Sequence, residues 1–386
     1  MANPRGREAG SPLPDSGGAS LSRRTVLLGA GALAAGAVVA EPIRALAAGL
    51  ANPDGPKSWA DPKVPELTHH VVETNGIGMH LVEQGSGPLV ILLHGFPECW
   101  YSWRHQLTML AEAGFRAVAP DLRGYGQSDC LQDGGKYTIL DYIGDVVGLV
   151  DTSHVEQAVI AGHDFGATIA WQAALMRPDR FRAVIGLSAP FRPRGFGTSV
   201  LPTTVMPQND KAVYYQLYLA TPEAEIGMEQ NRRQTLRSLF FHMSGEGLRA
   251  ADPAAADLEP GMIQRRGAVL ADDPPLPGWI TTAELDVYVE EFTRSGFHGP
   301  LSWYRNIDRS WELLGVTQGA AVTIPALYMA GDRDFVVAAN REFIPQQAKL
   351  VPKLHRPLIL PGCGHWTQQE RATDVGAAMI DFLQKL

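Results

Sequence analysis

The pentapeptide Gly162-His163-Asp164-Phe165-Gly166 constrains this chain more than any other segment. The pattern Gly-x-nucleophile-x-Gly is a sharp turn between a strand and a helix, with a small residue on each side so that the turn can close. Both flanks fit. Residues 157–161 read as a short buried strand, and residues 167–176 as a helix.

The rest of the chain supplies a sheet for such a turn to sit on. Residues 67–73 and 77–83 are strand-like and flank Asn75-Gly76, a hairpin signal. Residues 89–93 form a continuous apolar run, as expected of a strand buried on both faces in a parallel sheet. Residues 116–119, 158–161, 181–187, 324–329 and 357–360 are further strand candidates. Between them Tyr142, Ile143, Val146, Val147 and Val150 recur at helical spacing, and residues 340–350 and 373–386 carry helical patterns. Alternating strands and helices predict an α/β fold, a mostly parallel sheet covered on both sides. The alternation breaks over residues 190–315, which hold helical candidates at 211–220, 230–243 and 283–295, a proline-rich loop at 272–278, and no strand pattern. That segment reads as a helical cap inserted over the end of the sheet where the elbow lies. The expected organisation is core at 66–189 and 316–386, with the cap between.

The N-terminus has a different character. Ser22-Arg23-Arg24-Thr25-Val26-Leu27-Leu28 precedes a Gly/Ala-rich apolar stretch, and Ala45-Leu46-Ala47 forms a small-x-small site. This is the layout of an export signal over residues 1–47, and the paired arginines resemble a twin-arginine signal. Periplasmic or extracellular delivery is the expectation. The apolar stretch is too short to predict a stable membrane span. Residues 48–65, rich in Pro, Gly and Asp, read as a linker. The chain carries a net charge of -8 with no basic run, which argues against a nucleic-acid partner. Its three cysteines, Cys99, Cys130 and Cys363, fit no metal spacing and cannot form a complete disulfide framework.

An aspartate at the elbow selects the chemistry. A carboxylate attacking an acyl group yields an anhydride, a poor intermediate. Attack on an electrophilic sp3 carbon yields an alkyl ester that water can cleave, whereas a serine attacking that carbon would be trapped as an ether. Asp164 therefore points to epoxides or alkyl halides. His94-Gly95-Phe96-Pro97 follows the buried strand 89–93, and the loop there can supply one backbone N–H of an oxyanion hole, from Phe96. The residue after the nucleophile, Phe165, supplies the other. His94 is expected to hydrogen-bond the loop rather than react. Hydrolysis of the ester needs a base. His365, in the glycine-flanked loop Gly362-Cys363-Gly364-His365-Trp366 after the last strand, is the candidate. Its acidic partner belongs in Gly331-Asp332-Arg333-Asp334-Phe335, where spacing does not separate Asp332 from Asp334.

Together these pieces resemble the epoxide hydrolases of the α/β-hydrolase fold, of the soluble and microbial type, over residues 71–386. Asp121-Leu122-Arg123-Gly124-Tyr125-Gly126-Gln127-Ser128, Tyr215-Gln216-Leu217-Tyr218, Gly299-Pro300-Leu301-Ser302-Trp303-Tyr304-Arg305-Asn306 and Cys363-Gly364-His365-Trp366-Thr367-Gln368 carry the likeness with the elbow and His94-Gly95-Phe96-Pro97-Glu98. The resemblance implies that Tyr215 and Tyr304 hold and protonate the epoxide oxygen. It also selects Asp334 as the partner of His365, and implies a substrate wall including Phe165, Trp303 and Trp366. No metal or cofactor is implied; the expected partners are a small hydrophobic epoxide and water. Relatives often carry Trp after the nucleophile, where this chain has Phe165. The nearest alternative, a haloalkane or haloacid dehalogenase, shares the Asp-His-Asp logic. Haloalkane relatives place Asn after His-Gly and Trp after the nucleophile, and fluoroacetate-type relatives place Arg there; Phe96 and Phe165 fit neither. A non-catalytic hydrolase-fold binding protein is the alternative of another class, and would have no need of all five site residues.

Overall fold

The computed structural model describes residues 67–194, 199–247, 261–264 and 273–386. The expected signal and linker, residues 1–47 and 48–65, lie outside the described residues, as do parts of the inserted segment. Among the described residues, no helix is long and apolar enough to cross a membrane.

Eight strands form one sheet: β1 (Thr68–Thr74), β2 (Ile77–Gln84), β3 (Leu89–Leu93), β4 (Arg116–Pro120), β5 (Ala158–His163), β6 (Phe181–Leu187), β9 (Ala326–Gly331) and β10 (Leu358–Leu360). Their order across the sheet is β1-β2-β4-β3-β5-β6-β9-β10. The Asn75-Gly76 turn closes the antiparallel pair β1–β2, with both residues at positive φ, as a tight two-residue hairpin requires. β2 also pairs antiparallel with β4, and every pairing from β4 to β10 is parallel. β3, β5 and β9 are buried at every position, which is why they read as unbroken apolar runs. The helices Ile139–Thr152 and Phe165–Met176 pack on each other, as do Arg104–Glu112 and Ala372–Leu383; the two pairs flank the sheet. Helix Ile139–Thr152 starts with a reciprocal capping box between Thr138 and Asp141.

From β3 the chain runs outward to β4, then returns to the other side of β3 as β5. The loops after β3 and β5 therefore diverge and leave a crevice at the carboxyl ends of the strands, the usual ligand position in an open parallel sheet. The loop after β3 holds Phe96, and the one after β5 holds Asp164.

Three expectations need correction. The inserted segment is not purely helical: β7 (Ala212–Tyr214) pairs antiparallel with β8 (Met262–Gln264) in a small second sheet. Strands of three residues are too short to display a period, and β7 takes the start of the helix expected at 211–220, leaving only Tyr215–Leu219 helical. The helix expected at 340–350 is instead a short helix at Phe335–Ala339 followed by a 3-10 turn at Ile344–Lys349. Pro345 lacks the N–H and has the ring that would obstruct the preceding turn, so one continuous α-helix cannot form there. Apart from these three corrections, Cys99, Cys130 and Cys363 are free, as their odd number and spacing suggest.

Candidate active site

The elbow is built as its glycines demand. Asp164 sits at φ 53°, ψ -114°, a conformation that costs a non-glycine residue free energy and aims its side chain out of the turn. The turn closes so tightly that a Cβ on Gly162 would lie 2.1 Å from the Gly166 carbonyl oxygen, and one on Gly166 would lie 2.2 Å from that of Leu93. Asp164 is 8% exposed. Its Oδ1 accepts the Phe96 N–H at 3.1 Å, and the Phe165 N–H also bonds the carboxylate. Burial pushes the carboxyl above its usual range, opposed by the neighbouring His365 and His163 and by these two N–H donors.

His365 Nε2 lies 3.7 Å from Asp164 Oδ2, and its Nδ1 lies 3.1 Å from Asp334 Oδ1. Burial alone would lower the imidazole, but the hydrogen-bonded Asp334 carboxylate and the nearby Asp164 outweigh it and hold the pKa at about 9. Asp334 is 1% exposed and also accepts the Val336 N–H at 2.9 Å; it is held below the usual carboxylate range by His365 and these bonds, against its burial. Asp332 is exposed and caps the turn by accepting the Gly362 N–H at 2.7 Å. Burial thus separates two residues that spacing left equivalent. His94 donates Nδ1–H to the Gly95 carbonyl and accepts the Leu122 N–H on Nε2, so both ring nitrogens are committed to holding loops.

The inserted segment brings Tyr215 and Tyr304 over this group. Their rings lie 6.2 Å apart, Tyr304 packs edge-on against Phe96 and Phe165, and Tyr215 against Phe335. Burial, the neighbouring tyrosine and the Asp164 charge push both phenols well above their usual range, so both keep their protons. Gln216 Nε2 donates to the Tyr215 hydroxyl at 3.0 Å. Trp303 stacks on Phe165 with ring centroids 4.4 Å apart. Trp366 differs from its expected place on the substrate wall. It is fully buried, its indole N–H donates to the Phe240 carbonyl at 3.0 Å, and it packs behind His365 with no face left open to a ligand.

Two site residues carry no distinguishing signal in the sequence. Ser188, directly after β6, donates Oγ–H to Asp334 Oδ2 at 2.5 Å and lies 3.1 Å from His365 Nδ1. It is held at φ 66° with its carbonyl accepting the Tyr328 hydroxyl. Nothing in a lone serine after a strand marks this role; only the 146-residue separation closed by the fold does. Glu98 reads in sequence only as the end of a motif. It is fully buried and accepts the Gly95 N–H and His163 on Oε2, and Gln368 and Gln369 on Oε1. Burial would raise this carboxyl, but His163 and the surrounding donors bring it down to about 2. Among the described residues no cluster of His, Cys, Asp and Glu could hold a metal ion.

An aspartate aimed from an elbow, two N–H donors, a histidine–aspartate pair and two protonated phenols form one buried constellation, and known proteins share its setting. The family model for the alpha/beta hydrolase fold matches residues 88–372. Epoxide hydrolase B of Mycobacterium tuberculosis is 39% identical over 347 residues, covering 82% of this chain and 98% of the relative. A solved epoxide hydrolase from an endophytic Streptomyces superposes with a TM-score of 0.77 at 41% identity, covering 82% of this chain and 95% of that one. Epoxide hydrolase A from Mycobacterium thermoresistibile gives 0.74 at 40% identity, covering 83% and 98%. The chain belongs to the epoxide hydrolase family of the α/β-hydrolase fold.

Proposed function

We propose that this protein converts a hydrophobic epoxide and water to a vicinal diol through an ester on Asp164. The observation that carries this reading is the Asp164 carboxylate held at the elbow within reach of His365 and beneath Tyr215 and Tyr304. Asp164 Oδ1 already accepts the Phe96 N–H, which favours Oδ2 as the attacking atom. Oδ2 bonds to the less hindered epoxide carbon, the ring C–O bond breaks, and the ring oxygen takes a proton from Tyr215 or Tyr304. A phenol suits this step because it stays protonated at neutral pH yet is far more acidic than the alcohol that forms.

Ester formation removes the Asp164 charge, one of those that raise the His365 pKa, so the imidazolium gives its proton to the tyrosinate left by ring opening and becomes a usable base. His365 then takes a proton from water while the oxygen attacks Asp164 Cγ. The tetrahedral oxyanion forms at Oδ1, between the N–H groups of Phe96 and Phe165, and collapse releases the diol and restores the carboxylate. The leaving alkoxide takes the proton of the hydroxyl added at Cγ, and His365 ends the turnover protonated, as it began. Asp334 orients the imidazole and stabilises its cation, as the acid of such a triad does. Phe165 and Trp303 offer an apolar wall, which favours a hydrophobic substrate.

His365→Gln is the test. It is expected to form the ester but not hydrolyse it, leaving a peptide containing Asp164 heavier by the mass of the epoxide. Parent protein that yields no diol across aliphatic, aromatic and fatty-acid epoxides would sink the reading. We propose further that residues 1–47 direct export, supported by Arg23-Arg24, the apolar stretch and Ala45-Leu46-Ala47; the location of the expressed protein tests this.

A further inference from the structure

One buried hydrogen-bond chain connects the inserted segment to the oxyanion loop, and the two-step reaction does not by itself use it. It starts on the helix Thr282–Ser295. Tyr288, fully buried on that helix, donates its hydroxyl to Gln369 Oε1 at 2.8 Å and lies 3.0 Å from Ser102 Oγ. Glu284, one turn earlier, pairs with Arg104 at 3.1 Å, and Arg104 Nη1 donates to the same Gln369 oxygen at 2.9 Å.

With two donors on its oxygen, the Gln369 amide has only one orientation available. Its Nε2 then points at Glu98 and donates to Oε1 at 3.0 Å. The other Glu98 oxygen accepts the Gly95 N–H at 3.0 Å and His163 at 2.7 Å. Gly95 immediately precedes Phe96, whose N–H bonds Asp164. Apart from Glu284, every side chain in this relay is nearly or fully buried, with Gln369 the most exposed at 3%. No water competes for these groups, and a misoriented amide would set its carbonyl oxygen against the Glu98 carboxylate.

We propose that Gln369 is a positioning residue that couples the seating of the helix Thr282–Ser295 to the geometry of the Gly95-Phe96 loop, and so to the ester-hydrolysis step. This rests on the functional reading above. Hydrolysis develops an oxyanion that the Phe96 N–H must meet, whereas alkylation consumes charge on Asp164. Loss of the coupling therefore slows the second step more than the first.

The experiment measures the two steps separately by rapid mixing with a styrene-type epoxide, following ester formation and decay. The proteins are parent, Tyr288→Phe, Gln369→Met and the double variant. Tyr288→Phe is expected to slow ester decay about fivefold, the scale of one neutral hydrogen bond. Ester formation should change less than about twofold by the same reasoning. The double variant is expected to be no slower than Gln369→Met alone, because Tyr288 acts through Gln369.

Several results would overturn the coupling while leaving the function intact: variants that melt earlier but hydrolyse the ester at the parent rate, equal slowing of both steps, or additive effects in the double variant. If Gln369→Met does not fold, the division between steps in Tyr288→Phe decides alone. A parent protein that forms no ester defeats the functional reading itself, which is a separate outcome.

Discussion

At the scale of single residues, the site depends on charges held where water cannot screen them. His365 sits between two carboxylates, and both contribute to its pKa of about 9. Asp164→Asn imitates the neutral ester, so it is expected to lower the His365 pKa; an NMR titration of the imidazole measures this. An unchanged titration would mean that Asp164 does not control the base, and the proposed conversion of His365 between the two steps would fall. The sign also applies to stability. A histidine whose folded pKa is raised contributes stability that is fully present below its unfolded value of 6.5 and is lost as the pH rises through about 9. Ser188 belongs to this scale too. Its hydrogen bond to Asp334 and its backbone at positive φ put a strained residue against the triad, the kind of place where proteins tolerate such strain.

At the scale of elements, the helix Thr282–Ser295 ties the inserted segment to the core through side-chain bonds to Ser102, Arg104, Gln127 and Gln369. It starts with a capping box between Thr281 and Glu284. Glu291 on its buried face is 1% exposed; one oxygen accepts Gln127 Nε2 at 3.0 Å, and the other has only Arg294, at 3.8 Å. Burial and the nearby Asp121 push its carboxyl up to about 8. The fold therefore prefers this acid protonated. Its contribution is fully present below about 4.5, the unfolded value, and is lost as the pH rises to about 8. Glu291→Gln is expected to lie close to the parent's stability near pH 5 and to exceed it by several kcal/mol, about 5 at most, at pH 9. Urea unfolding across that range measures the gap, and a gap that does not widen with pH would show that Glu291 ionises freely in the fold.

At the scale of the whole molecule, the sheet order does what no single element can. The outward turn to β4 and the return to β5 open the crevice, and the insertion between β6 and β9 carries Tyr215 and Tyr304 over it. The export proposal also belongs here, because it concerns what happens to the chain as a unit. Replacing Arg23 and Arg24 by Lys is expected to keep diol-forming activity inside the cell while leaving the melting temperature of the purified protein unchanged. Activity found outside with both arginines replaced would reject the twin-arginine reading.

The sequence by itself determined the elements with strong local requirements. The hairpin at Asn75-Gly76, the continuous apolar strands and the elbow at Asp164 each depend on neighbours within a few residues, and each is legible from those residues alone. Strands β7 and β8 are not, because three residues carry no usable period. The broken helix after Asp334 has a single local mark, Pro345, set within an otherwise helical pattern. Within the site, the elbow aspartate and the glycine-flanked His365 stand out by residue type and place. Only the tertiary structure separated Asp334 from Asp332 on physical grounds, withdrew Trp366 from the substrate wall, and revealed Ser188 and Gln369. Their roles depend on burial and on partners as much as 271 positions away, as between Glu98 and Gln369. Local conformation is encoded by near neighbours, whereas desolvation and charge pairing arise only once distant segments exclude water from one another. Asp164 alone admitted two substrate classes, and the enclosure of its surroundings by aromatic rings and phenols is a property of the folded chain.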